Sequence, residues 1–270
     1  MKSRTFGFLA AVTALMSAAP TVAETAAETG AETGAKSVSG VSAQYDFYVG
    51  GFRIAEVALT TVLDEGEYEA RTNVATRGVL EMLLRGRAAS HARGSHGSFG
   101  QLVPQGFATR YSSRRGEQSI KILYEDASPS RVEFEPEATD ADDHATPRER
   151  LGALDPATAA VTALLPMAGA DLCNRSIPVF DGKRRFDIIF LPADPERFDD
   201  SAPPPQSATP LLRCLGVYER ISGFGEDMDE KTRYFPFDVW FEKTEVGVFR
   251  AVRVAGSTKL GFAIGNLREE

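Results

Sequence analysis

Cysteine and histidine are scarce in this sequence, with two of the first and three of the second in 270 residues. Cys173 and Cys214 are too widely spaced for a C-x-x-C redox pair, and no histidine stands beside either to activate a thiolate. His91 and His96, in HARGSHG, are an odd number of residues apart. On a strand that spacing sends them to opposite faces, a poor arrangement for chelation. DADDH around His144 reads as an acidic surface loop. The sequence has no H-E-x-x-H, no G-x-S-x-G, no S-x-x-K and no phosphate-cradling glycine loop. Nothing singles out a glycosidase-like pair of carboxylates. No metal, no cofactor and no catalytic residue is expected, and an enzyme is not the favoured class. A basic surplus is also missing. The formal charge is −8, and becomes −10 once Lys2 and Arg4 are removed with a leader (−8 less two positive charges), which weighs against nucleic acid as a partner. Past the first residues no apolar run reaches the roughly 20 residues of a membrane-spanning helix.

What is present begins with an export signal. Lys2 and Arg4 precede the apolar FGFLAAVTALMSAA, and small residues at Thr21 and Ala23 place a cleavage site after Ala23. Residues 1–23 therefore read as a secretory signal peptide and the chain as periplasmic. No cysteine follows the cleavage site, which argues against lipid anchoring. Residues 24–40, ETAAETGAETGAKSVSG, hold nothing large to bury and read as a disordered leader. From Val41 the texture changes to period-2 alternation broken by glycine-rich or charged turns: AQYDFYV, then Gly50-Gly51, then FRIAEVALTTVL, and onward through LGFAIGNL. This predicts ten to twelve antiparallel strands in one domain over residues 41–270, because no strand–helix–strand rhythm recurs. Two loops, near 137–150 and 193–210, are acidic or proline-rich and are expected to be mobile excursions.

Two segments are expected to be helical. RGVLEMLLRG places Val79, Leu80, Leu83 and Leu84 on one side of a short helix. LDPATAAVTALLP starts with Asp155 as N-cap and Pro156 at the first helical position, and should end near Leu165. Two cysteines in an exported protein predict a Cys173–Cys214 disulfide. Asp181-Gly182 predicts a two-residue hairpin, pairing Ile177 and Val179 with Phe186 and Arg184. Lys183, Arg184 and Arg185 at its tip suit either an anion or plain solvation. Nine basic residues lie between Arg71 and Lys121, among them Arg85, Arg87, Arg114 and Arg115, against only Glu81 and Glu117. They read either as edge arginines resisting aggregation or as a basic rim beside an apolar surface, suited to anionic lipid or an acidic envelope partner.

The order of YDFYVGGFRIAEVALT, LVPQGFATRYSSRRGEQSIKILYED, LDPATAAVTAL, CNRSIPVFDGKRRFDIIFL, CLGVYERISGF and VWFEKTEVGVFRAVRVAG resembles the domain of unknown function 3108 family, secreted proteins of Gram-negative bacteria. The resemblance runs from about Gln44 to Leu267. It carries over no catalytic residue. It implies a mainly β fold, a strongly curved antiparallel half-barrel or open barrel like that of Lol-type lipoprotein carriers, with one or two short helices on the concave side. Three readings follow. In the first, the protein is a non-catalytic periplasmic binding or scaffold protein supporting envelope integrity, its groove accepting a lipid, lipoprotein tail or amphipathic peptide, with Val79, Leu80, Leu83 and Leu84 as lid or plug. In the second, the core is self-filled and a charged rim binds envelope proteins or peptidoglycan. The third is a hydrolase without a recognisable motif.

Overall fold

The alternation becomes thirteen strands and two helices. In chain order they are β1 (Ser39–Val49), β2 (Phe52–Asp64), β3 (Glu67–Thr76), α1 (Gly78–Leu84), β4 (Arg87–His96), β5 (Leu102–Ser113), β6 (Gly116–Glu125), β7 (Ser128–Glu135), α2 (Pro156–Leu164), β8 (Arg175–Phe180), β9 (Arg185–Pro192), β10 (Leu211–Ser222), β11 (Tyr234–Lys243), β12 (Phe249–Thr258) and β13 (Gly261–Leu267). The structure is a computed structural model, and it describes residues 39–97, 101–138, 144–165, 172–193, 202–225 and 232–268. The leader expected at residues 1–23, and all but the last two residues of the 24–40 tract, lie outside these.

All thirteen strands belong to one antiparallel sheet of order β7-β6-β5-β4-β3-β2-β1-β13-β12-β11-β10-β9-β8. Sequential hairpins build each half, and the first and last strands join the halves: Tyr45 pairs with Leu267 and Val49 with Ala263. The period of two sorts side chains cleanly. On β3, Tyr68, Ala70, Thr72, Val74 and Thr76 are buried while Glu69, Arg71 and Asn73 face outward.

Curvature brings the two edge strands within reach of a single strap. Residues 144–154 leave the β7 side and cross to β8. The Arg150 guanidinium donates to Ser130 O at 2.9 Å and Gly152 N to Ser128 Oγ at 3.1 Å, both on β7. On the other side Leu154 N donates to Pro178 O at 2.7 Å and Phe180 N to Leu154 O at 2.8 Å, a short parallel pairing with β8. The β8–β9 loop leans on the same seam. A Cβ at Gly182 would lie 2.7 Å from Ile120 Cγ2 of β6, and its φ of +104° also suits glycine. The sheet is thus a nearly closed barrel. In the described end of the 137–150 loop, Ala145 is buried and its N–H donates to Lys183 O. In the 193–210 loop, Ala202 is buried and its N–H donates to Asp238 Oδ2 at 3.2 Å, while most of 203–210 is exposed. The remainder of both loops lies outside the described residues.

Candidate functional site

The inner volume of the barrel is occupied by α2. Ala157, Thr158, Ala159, Val161 and Ala163 are buried, and the helix packs on β2, β3, β4 and β5 of one half and on β8 and β12 of the other. Its side chains divide between two apolar clusters. Ala157, Val161 and Leu165 join Tyr45, Leu59, Val74 and Phe107. Ala159 and Ala163 join Ile177, Phe190, Cys214 and Phe241. A small-residue helix fits this space because the barrel walls already carry Tyr45, Phe180, Phe190 and Phe241 fully buried.

Both ends of α2 are tied to the wall by polar groups. Asp155, at 0% exposure, accepts from Ala157 N at 3.0 Å and Thr158 N at 2.9 Å, as its N-cap position requires. Thr158 Oγ1 donates to Asp155 Oδ2 at 2.7 Å and also meets Tyr68 Oη of β3 at 2.8 Å. Burial pushes the Asp155 carboxyl up to about 6, against the opposing pull of its hydrogen bonds. Burial also raises Tyr68 and Tyr124 well above the ordinary phenol range, with the Asp155 charge adding to both. At the other end Arg175 of β8 donates to Thr162 O at 2.8 Å and Ala163 O at 3.1 Å, carbonyls of the last turn that would otherwise go unmet. It stacks over Phe190, its carbon 4.6 Å from the ring centre, and desolvation pulls it down to about 10. A cation at a helix C-terminus also opposes the helix dipole.

The disulfide forms as expected. Cys173 joins Cys214 with their Cα atoms 5.2 Å apart across 41 residues, pinning the segment before β8 to β10. The hairpin after β8 differs from expectation. It closes as a four-residue loop in which Asp181 Oδ1 accepts from Lys183 N at 2.9 Å and Arg184 N at 2.6 Å. Val179 therefore pairs with Phe186 and Ile177 with Ile188, two residues on from the expected register, which leaves the faces unchanged. The three basic residues do not share a tip. Arg185 is buried, donating to Phe186 O and to Asp187 at 2.5 Å, while Arg184 approaches Asp181 and Lys183 is half-buried.

The first helix, expected as a lid or a plug, stands at the rim. Val79, Leu80, Leu83 and Leu84 do not plug the interior, because α1 has no buried residue and contacts β2 and β3 at the barrel's rim. The place inside belongs to α2. Thr76 N donates to Gly86 O at 2.8 Å, so the β3–β4 hairpin stays zipped and α1 stands beyond its end. Arg85, Arg87, Arg114 and Arg115 are exposed, and Arg114 N donates to Leu84 O at 3.0 Å, which brings the β5–β6 turn against α1. Other members of the basic segment are paired: Arg71 with Glu69 at 2.7 Å, and Arg77 with Glu56. His91 also meets Glu69, at 2.6 Å, and among the described residues no group of histidine, cysteine and carboxylates could hold a metal.

Comparison with known proteins gives a family and a distant fold. The family described as "Protein of unknown function (DUF3108)" matches residues 44–215. No curated protein matches the sequence. A beta-barrel-like protein of domain of unknown function DUF1849 from Brucella abortus aligns over 84% of this chain and 95% of its own, at 10% identity and a TM-score of 0.34. The match over 44–215 takes in more than half of the sequence, so the chain belongs to the DUF3108 family.

Proposed function

We propose that this DUF3108 protein is a non-catalytic scaffold of the bacterial envelope whose barrel is filled by its own helix and which works through its outer surface. The observation that carries the reading is the clamp on α2. Asp155 caps its first turn and Thr158 ties that turn to Tyr68 of β3, Arg175 holds its last, and its apolar face completes both core clusters. A helix held by polar anchors at both ends of a closely packed interior is costly to displace, since each buried anchor left unpaired costs about 1–3 kcal/mol. That favours the self-filled reading over a groove that takes up a lipid or lipoprotein tail. The leader read at residues 1–23 and the Cys173–Cys214 disulfide support a periplasmic setting, where such bonds persist.

Native mass spectrometry of protein taken from the periplasm tests this. The expected mass is that of the chain cleaved after Ala23 and oxidised at both cysteines, with nothing else attached. A stoichiometric acyl adduct would restore the groove reading. Turnover abolished by a single carboxylate or serine substitution would restore the enzyme reading.

A further inference from the structure

Antiparallel pairing sends alternate connections to opposite ends of the barrel. The β1–β2, β5–β6 and β12–β13 turns and the α1 connection leave from one end, and the β2–β3, β6–β7 and β11–β12 turns from the other. The two ends are chemically unlike. Among the described residues, six of the eleven exposed large apolar side chains stand in the first group: Phe52, Val79, Met82, Leu83, Leu84 and Leu260. Such side chains are ordinary singly but informative when contiguous. Here they are contiguous. A Cβ on Gly50 would meet Leu260 O at 3.4 Å, and one on Gly78 would meet Arg53 O at 2.7 Å, so both turns and α1 abut one another. On α1, Val79, Met82 and Leu83 share one face by their spacing, and all three are more than half exposed.

A cluster of basic residues, with exposed Glu117 among them, stands in the same sector. Arg85, Arg87, Arg114, Arg115 and Lys259 are exposed around the apolar group. Among the described residues none of these arginines is in an ion pair, and Glu81 on α1 turns to Arg77 instead. The turns at the opposite end present Asp64, Glu65, Glu67, Glu125, Asp126 and Glu245. The basic sector stops before the β10–β11 connection, whose sequence is acidic at Glu226, Asp227, Asp229 and Glu230.

We propose that this sector is a docking surface for an anionic phospholipid bilayer. Phe52, Leu260 and the outer face of α1 enter the headgroup layer, and the four arginines meet lipid phosphates. Charge complementarity selects the partner. An acidic protein presented to the same basic sector would leave the most protruding apolar tips, Phe52 and Leu260, without a matching surface. A bilayer interface accepts both apolar tips and cations at one depth. The attraction belongs to the basic sector alone, since the β10–β11 connection of the same end is acidic in sequence. This inference concerns the rim and is independent of whether the interior is self-filled.

The test is co-sedimentation of the disulfide-bonded full chain with vesicles of phosphatidylglycerol mixed into phosphatidylcholine, against phosphatidylcholine alone. Retention on the anionic vesicles is expected, falling by about fivefold for each arginine removed at low ionic strength, as in Arg85→Gln, Arg87→Gln, Arg114→Gln and Arg115→Gln. Added salt should weaken the wild type and leave the fourfold variant unchanged. A Phe52→Trp variant should shift its emission to shorter wavelength on the same vesicles, over a constant background from buried Trp240. Because all five positions are exposed, these variants fold and the readout stays on binding. Equal retention on neutral and anionic vesicles would overturn the proposal, as would a fourfold variant that binds like wild type. Capture by an acidic polypeptide with no vesicle binding would overturn it in favour of a protein partner.

Discussion

At the scale of single residues, Asp155 concentrates the physics of this molecule. It caps α2 as the sequence requires, yet it does so at 0% exposure, where charge is disfavoured and its carboxyl titrates near 6. Between about pH 4 and pH 6 the native state holds a proton that the unfolded chain has lost. Its contribution is therefore fully present below the unfolded value and is lost as pH rises through 6. A gap of about two between the folded and unfolded values corresponds to about 3 kcal/mol. Other carboxylates act in the opposite sense; those of Asp46 and Glu69 are held below their usual range by neighbouring arginines, against some desolvation. A difference measurement separates them. Asp155→Asn keeps a capping oxygen but cannot titrate, so wild-type stability relative to this variant should fall between pH 4 and pH 7. Urea denaturation at both values checks this; a difference that does not change with pH would place the Asp155 carboxyl at its ordinary value. Arg175 is the matching anchor. Arg175→Ala leaves the carbonyls of Thr162 and Ala163 unmet inside the barrel and should cost about 1–3 kcal/mol.

At the scale of elements, the two helices take different places. The more hydrophobic one, VLEMLL, is exposed, and the alanine-rich one fills the core. Leu83→Ala should therefore change stability by no more than about 0.5 kcal/mol, whereas Ala159→Leu, which overpacks the interior, should lose about 1–3 kcal/mol. Thermal melts of the two variants distinguish the arrangements, and hydrogen exchange should find the α2 amides protected like the central strands and the α1 amides not. Reducing the Cys173–Cys214 bridge releases a loop of about 40 residues and should cost about 4 kcal/mol in the chain-entropy picture. What could be read in advance was local. The Asp155-Pro156 cap, the Gly50-Gly51 turn and the period of two each depend on neighbours in sequence, and with two cysteines in the chain there is one pairing to choose. What could not be read is decided by distant partners. Tyr68 is polar-bonded because α2 delivers Thr158 across 90 residues, and Tyr45 donates to Ala251 O across 206. The two-residue hairpin failed for a local reason that dipeptide rules miss: the Asp181 side chain takes two backbone donors and holds a wider loop. Exposure of α1 had no signal in the sequence, since apolar content says that a face needs covering and not what will cover it.

At the scale of the whole molecule, the barrel has a bonded seam and a strapped one. β7 and β8 are the edges of the sheet, and the strap over 144–154 covers both, which protects strand edges that would otherwise invite pairing with other chains. The bonded seam is the pairing of β1 with β13, and it sets the order in which the protein is assembled. Tyr45 meets Leu267, and Tyr45 Oη donates to Ala251 O at 2.7 Å across 206 residues. The two half-sheets can each form from local hairpins, but they become one surface only when the final strand arrives. Assembly of this topology is accordingly slow, since distant strands must find each other before the contact is rewarded. Closure of the barrel therefore waits on both ends of the strand sequence, and a chain lacking β13 would keep two half-sheets with no shared wall.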